Sequence, residues 1–193
     1  MKKILFTAFA LCFFGYTNAQ SRAKGTIELT PQIGYSSANY YGNSLANNSP
    51  VSAAGFGVGA DYFFNNRWSL RSGLLLQTMG TQFIGYEEKL NYLTLPVNAN
   101  WHFGSTRKWN LNFGPSIGFL MSAKGNGKDI KDLANPTQLG LSYGIGYKIE
   151  ASEQISILID YQAMSGLSDI TKTSANTIKN AYGIFNIGCV FKL

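Results

Sequence analysis

The sequence predicts an all-β protein, an eight-stranded antiparallel up-and-down transmembrane β-barrel, and three observations carry that prediction. Apolar residues recur with a period of two along segments of about a dozen residues, the connections between those segments alternate short and long, and all three tryptophans lie beside short connections.

The period is plainest in LGLSYGIGYKI, residues 139–149. Leu139, Leu141, Tyr143, Ile145, Tyr147 and Ile149 share one face, and Gly140, Ser142, Gly144, Gly146 and Lys148 the other. That alternation describes an extended strand with one large apolar side and one small or polar side.

Taken in order, the chain opens with Lys2 and Lys3, an apolar run from Ile4 to Gly15 and the small-residue junction Thr17-Asn18-Ala19. Residues 1–19 are therefore expected to be a signal peptide and 20–193 the outer-membrane barrel domain. The run is shorter than the roughly 20 residues of a spanning helix, and Cys12 lies inside it after Leu11, which argues against a lipoprotein junction. Cleavage leaves 174 residues (193 less 19), enough for one domain with its own core. It leaves Cys189 as the only cysteine, so no intramolecular disulfide forms. Loss of the two lysines lowers the formal charge from +6 to +4, and the remaining basic residues are scattered, which gives no support to a nucleic-acid partner.

Strands are predicted over 25–36, 51–64, 68–83, 90–103, 109–123, 137–151, 155–167 and 179–193. Turn-rich connections at 65–67, 104–108 and 152–154 are short, whereas 37–50, 84–89, 124–136 and 168–178 are longer. Short turns at one end and long loops at the other are the outer-membrane barrel pattern, with short turns and both termini periplasmic.

One face of every strand is apolar: Ile27, Leu29, Ile33; Phe56, Val58, Tyr62; Trp68, Leu70, Leu74, Leu76; Leu93, Leu95, Val97, Trp101; Trp109, Leu111, Phe113, Ile117, Phe119; the Leu139 set; Ile155, Ile157, Ile159, Tyr161; and Phe185, Ile187, Phe191, Leu193. The other face carries Glu28, Asp61, Arg71, Lys148, Glu150, Asp160 and Lys192 with Gln32, Gln77, Asn98, Asn112, Gln162 and Asn186. Alternation alone does not say which face is inside, and a lipocalin-like binder would bury the apolar one. Volume decides, because an eight-stranded barrel barely accommodates side chains and the polar face holds Gly34, Gly55, Gly57, Gly59, Gly73, Gly114, Gly118, Gly140, Gly144, Gly146 and Gly188. The large apolar face is thus expected to meet lipid. Trp68, Trp101 and Trp109 form an interfacial girdle at the short-turn level, with Tyr35, Tyr40, Tyr41, Phe83 and Tyr86 as candidates for the opposite one.

The NAQ junction, the stretch NYLTLPVNANWHFG at 91–104 and the closing strand NAYGIFNIGCVFKL resemble the PorT-like outer-membrane β-barrel family of Bacteroidetes, in which a Y-L-x-x-P-type strand is typical. The resemblance spans essentially the whole mature chain. It implies fold and location, and named members of that family are linked to protein secretion across the outer membrane. Leu193 departs from the aromatic residue common at the end of such barrels, and Phe191 on the same face is expected to supply the signal for the barrel-assembly machinery instead.

No chemistry of an enzyme is expected. A lipid-A-modifying barrel would need a nucleophile with a base in reach, but His102 is the only histidine and points into the lumen near the short turns. The carboxylates Glu28, Asp61, Glu150 and Asp160 are interleaved with Arg71, Lys148 and Lys192, as in a salt-bridged lumen. No metal or other cofactor is expected: Cys189 faces lipid and no D-x-D-x-D-G loop is present. GNGKD at 125–129 lacks the spacing of a phosphate loop and reads as a loop tip, although Lys124 and Lys128 suit lipopolysaccharide phosphates. Eight filled strands leave little pore. The expected partners are outer-membrane lipid and lipopolysaccharide, with a protein partner at loops 37–50, 124–136 and 168–178 and the barrel itself a monomer.

Overall fold

The computed structural model describes residues 22–42, 47–172 and 177–193, so the expected signal peptide and parts of loops 37–50 and 168–178 lie outside the described residues. The strands are β1 (Ile27–Gly42), β2 (Ser49–Asn65), β3 (Trp68–Phe83), β4 (Tyr86–Phe103), β5 (Trp109–Gly125), β6 (Lys128–Asp129), β7 (Thr137–Glu150), β8 (Ile155–Gly166) and β9 (Ile178–Lys192). β6 is a two-residue ribbon folded back on the end of β5. The other eight pair antiparallel with their chain neighbours, β5 with β7, and β1 with β9 closes the ring. Closure leaves no open ladder edge in the wall, which is what a sheet needs to stand in lipid.

The apolar face is outside. Along β7 exposure alternates residue by residue: Leu139, Leu141, Tyr143, Ile145 and Ile149 are exposed, and Gly140, Ser142, Gly144, Gly146 and Lys148 are buried. Ile33, Phe56 and Phe113 are each about 60% exposed (63%, 59% and 59%), part of an apolar belt far larger than a water-soluble surface tolerates. This overturns the lipocalin-like alternative. The inward glycines make the room that the volume argument requires: a Cβ on Gly146 would stand 2.8 Å from Asp160 Cβ and 2.9 Å from Asn110 Nδ2.

Interlocking aromatic rings mark the short-turn level. Trp68 stacks on Trp101 at 6.3 Å, Trp101 on Phe103 at 5.0 Å, Phe103 on Trp109 at 6.2 Å, and Trp109 meets Tyr147 at 4.8 Å. The turns beside them are tight: Asn65 Oδ1 accepts from the N–H groups of Arg67 and Trp68, and Ser152 Oγ from that of Ile155.

Prolines interrupt the ladder without opening it. Pro31, Pro96 and Pro115 lie in wall strands, and in each case the register skips on the side where the missing N–H would have donated: β1 to β9 at Pro31, β4 to β3 at Pro96, β5 to β4 at Pro115. Across one gap the Ser72 hydroxyl donates to the Pro96 carbonyl at 2.8 Å.

Three expectations need correction. β1 continues to Gly42 rather than ending at 36, paired with β9 as far as Ile178. The segment 84–89 is not a long loop: Phe83 pairs with Tyr86, the connection is Ile84-Gly85 with Gly85 at φ +74°, and Glu87 to Lys89 are strand. Polar residues read as loop here because both strands rise beyond the apolar belt, where charge on the outer face costs little. Finally, Tyr40 belongs to no outer girdle. It is 5% exposed and packs inside, and Tyr86, on the same inward face as Leu90 and Tyr92, lines the cavity beside it with its cross-strand partner Phe83 on that face too, whereas Tyr35 and Tyr41 are exposed.

Candidate functional site: the lumen and its lid

The lumen divides into a charged half beside the short turns and an apolar half beside the long loops. In the charged half, Glu28 on β1 accepts from Arg22 Nε at 2.7 Å and from the Lys148 ammonium on β7. Both cations lie over the face of the inward Phe63, at 5.3 and 5.4 Å from its ring centre. Arg22 precedes the first strand and enters the barrel mouth, where its backbone N–H donates to Asn66 Oδ1 and its guanidinium to the Arg107 carbonyl. Deeper in, Arg71 on β3 pairs with Asp61 at 3.1 Å and Asp160 at 3.3 Å. Asn100 donates to Asp61, and Asn186 and Gln162 donate to Asp160. Three cations thus face three carboxylates in ion pairs and hydrogen bonds, which is how charge survives burial.

Sequence reasoning placed Glu28, Asp61, Arg71, Lys148 and Asp160 here, and the structure brings them together. Glu150 stands apart, paired with Lys108 at 3.3 Å near the rim, and Lys192 is half-buried opposite Glu28 in register. Arg22, Ser69 and Asn100 were missed. Ser69 and Asn100 occupy inward positions of the two-residue period and were legible from it, but Arg22 lies in a segment with no period to read.

Ser69 and His102 form a pair that resembles catalytic machinery. Ser69 Oγ is 2.9 Å from His102 Nε2, yet the same hydroxyl donates to Asp61 Oδ1 at 2.8 Å. A serine has one proton, so His102 Nε2 must be the donor to Ser69 rather than the base that takes its proton. A triad needs the reverse, with the carboxylate on the far ring nitrogen, and His102 Nδ1 has no partner among the described residues. Both side chains are buried, and the His102 ring packs on Phe63 at 4.7 Å.

The space left in mid-lumen is about 40 Å³, between Asp61, Arg71, Asn98, Ser142, Asp160 and Tyr182. It holds a few waters at most. Above it the inward face turns mostly apolar, with Val51, Met79, Leu90, Tyr92, Leu120, Met164, Tyr182 and Ile184 packed together with Tyr40 and the buried amides of Gln77, Gln138 and Asn180 bonded among them. This apolar half corrects the expectation of a polar inner face throughout. A lid covers it: Ala134 and Thr171 form a bridge, Asn135 donates to the Asp169 and Thr171 carbonyls, and Ala134 and Ile170 enter the apolar cluster. Beneath the lid, beside Tyr40, Glu88, Leu90 and Ile130, lies a cavity of about 160 Å³.

A closed ring of eight long strands, an apolar outer belt, a one-level aromatic girdle and a charge-neutral filled lumen define a small integral outer-membrane β-barrel. The chain belongs to the outer membrane protein beta-barrel domain family, which it matches over residues 6–191. Among solved structures it is similar to the outer membrane protein OprG of Pseudomonas aeruginosa, with 12% identity, a TM-score of 0.55, and coverage of 91% of this chain and 99% of that one. It is similar also to Neisserial surface protein A, with 12% identity, a TM-score of 0.57, and coverage of 88% and 99%. A third likeness is to Ail, the attachment invasion locus protein of Yersinia pestis, solved with the heparin analogue sucrose octasulfate, at 16% identity, a TM-score of 0.50, and coverage of 87% and 99%. These likenesses show the shared fold. No curated protein matches the sequence.

Proposed function

We propose that this barrel is a non-enzymatic interaction protein that presents its long-loop end outside the cell, with short turns and both termini in the periplasm. The observation that carries the reading is the lumen, which is filled by paired charges in one half and by an apolar core under a lid in the other. A barrel so filled offers neither a conduit for solutes nor a nucleophile open to a substrate. What it does offer is a loop cluster built on a rigid wall, the usual placement of a binding surface. The resemblance to PorT-like barrels supports a role accessory to secretion, and the expected partner is a protein at loops 37–50, 124–136 and 168–178.

The test combines heat-modifiable gel mobility with protease digestion of intact cells, followed by crosslinking from a cysteine placed at Lys131. Cleavage confined to those loops and a reproducible crosslinked protein partner are the expected results. Cleavage at the short turns, or steady ion conductance of the protein in planar bilayers, would overturn the reading.

A further inference from the structure

The outer wall near the loop end breaks its own rule. From Leu93 and Phe119 toward the short turns the outer face of β4 and β5 is apolar, and those two residues are cross-strand partners. One step toward the loops the partners are Asn91 and Ser122, with Asn91 Nδ2 donating to Ser122 Oγ at 2.9 Å and its Oδ1 accepting from Thr78 Oγ1 at 2.7 Å. The next outward pair is Lys89 and Lys124, directly opposite in register.

Like charges placed directly across a strand pair repel. Glu87 offsets Lys89 at 2.9 Å, and Asp129, which stands opposite Lys124 in the β6 ribbon, makes no ion pair with it and accepts from the Lys131 backbone N–H. Lys124 and Lys128 have no carboxylate partner among the described residues, and the Lys131 ammonium reaches the Met121 carbonyl on the same wall at 3.0 Å. Four lysines (89, 124, 128, 131) thus stand against three carboxylates (87, 129, 132), and within the groove itself Lys89 and Lys124 stand against Glu87. Between the strands the surface forms a groove of about 220 Å³, lined by Glu87, Lys89, Asn91, Ser122, Lys124 and Gly127.

We infer that this groove is a binding site for the phosphorylated headgroup of an outer-leaflet lipid. Lys124 and Lys89 supply the charge from the lining, beside Glu87, and Lys128 stands next to it on the β6 ribbon; Asn91 and Ser122 line its floor, and the acyl chains lie on Leu93, Phe119 and Met121 below. The order of the wall matches the amphiphile: cations, then neutral hydrogen-bonding groups, then apolar surface, along one line of register. A free anion would use only the first of these, so the site is assigned to a lipid. The inference rests on the proposed orientation, which puts this end of the barrel in the outer leaflet.

The test is retention of lipid by the full-length protein, extracted from phosphatidylcholine vesicles containing diphosphoryl lipid A and weighed by native mass spectrometry. Heat-modifiable mobility confirms the fold of every variant. Wild type is expected to retain lipid A, less of its dephosphorylated form, and to keep it in the presence of inorganic phosphate. Lys124→Gln combined with Lys128→Gln is expected to reduce retention about tenfold, the loss of one or two charge-assisted contacts. Lys24→Gln combined with Lys179→Gln, equal in charge but away from the groove, is expected to retain it. Equal retention by the Lys124/Lys128 variant overturns the site, as does competition by inorganic phosphate. If protease finds the long loops inside, the orientation has failed; if the loops are outside and retention is unchanged, the lipid site alone has failed.

Discussion

The guanidinium of Arg71 on β3 reaches Asp160 on β8 at 3.3 Å, joining strands that are not neighbours in the ring. Because Arg71 also holds Asp61, its removal would leave two buried carboxylates without their shared cation. Arg71→Met is expected to destabilise the barrel by about 3 to 5 kcal/mol, whereas adding Asp61→Asn and Asp160→Asn should recover most of the loss. Urea titrations in detergent or vesicles measure both.

Leu141 is 48% exposed in the middle of β7, with its side chain on the lipid side. Leu141→Arg should cost about 2 to 4 kcal/mol near the bilayer midplane and reduce the folded, heat-modifiable fraction. Wild-type stability in that variant would mean that the belt does not face lipid.

Gly146 has no room for a side chain, given its approach to Asp160 and Asn110. Gly146→Leu overpacks the lumen and is expected to cost about 1 to 3 kcal/mol, seen as a lower urea midpoint.

The stacked rings predict both an energy and a depth. Trp101→Ala removes contacts with Trp68 and Phe103 and should lose about 0.5 to 1.5 kcal/mol per aromatic pair beyond area burial. In the wild type, lipids brominated near the headgroup should quench tryptophan fluorescence more than lipids brominated at the chain ends.

Ser69, whose proton is committed to Asp61, is expected to resist a fluorophosphonate probe in the folded barrel. Labelling at Ser69 would return the enzyme reading to consideration.

Much of this barrel was legible in the sequence because lipid imposes a strict period. Every second residue of β7 from Leu139 to Ile149 has to be apolar, so the face could be read without coordinates. The same signal vanishes above the belt, where Glu87, Lys89 and Lys124 are strand residues that look like loop. It also misleads inside, since an inward Tyr40 or Met79 has the same apolarity as an outward one, and only the paired ladder tells them apart. Arg22 was invisible for another reason: its place depends on the barrel mouth that three distant segments, around Phe63, Arg107 and Lys148, build around it.

The seam between β1 and β9 gives Glu28 a second meaning. In a sheet not yet joined at that seam, β1 lies at one edge and β7 two strands from the other, so Glu28 and Lys148 cannot meet. Their ion pair forms only when the ring shuts, and until then each charge stands in an unfinished lumen without the other. The Glu28–Lys148 pair, which ties β1 to β7 across the ring, is therefore open only to the shut barrel, and it adds to the advantage of the closed ring over a sheet whose first and last strands stand apart.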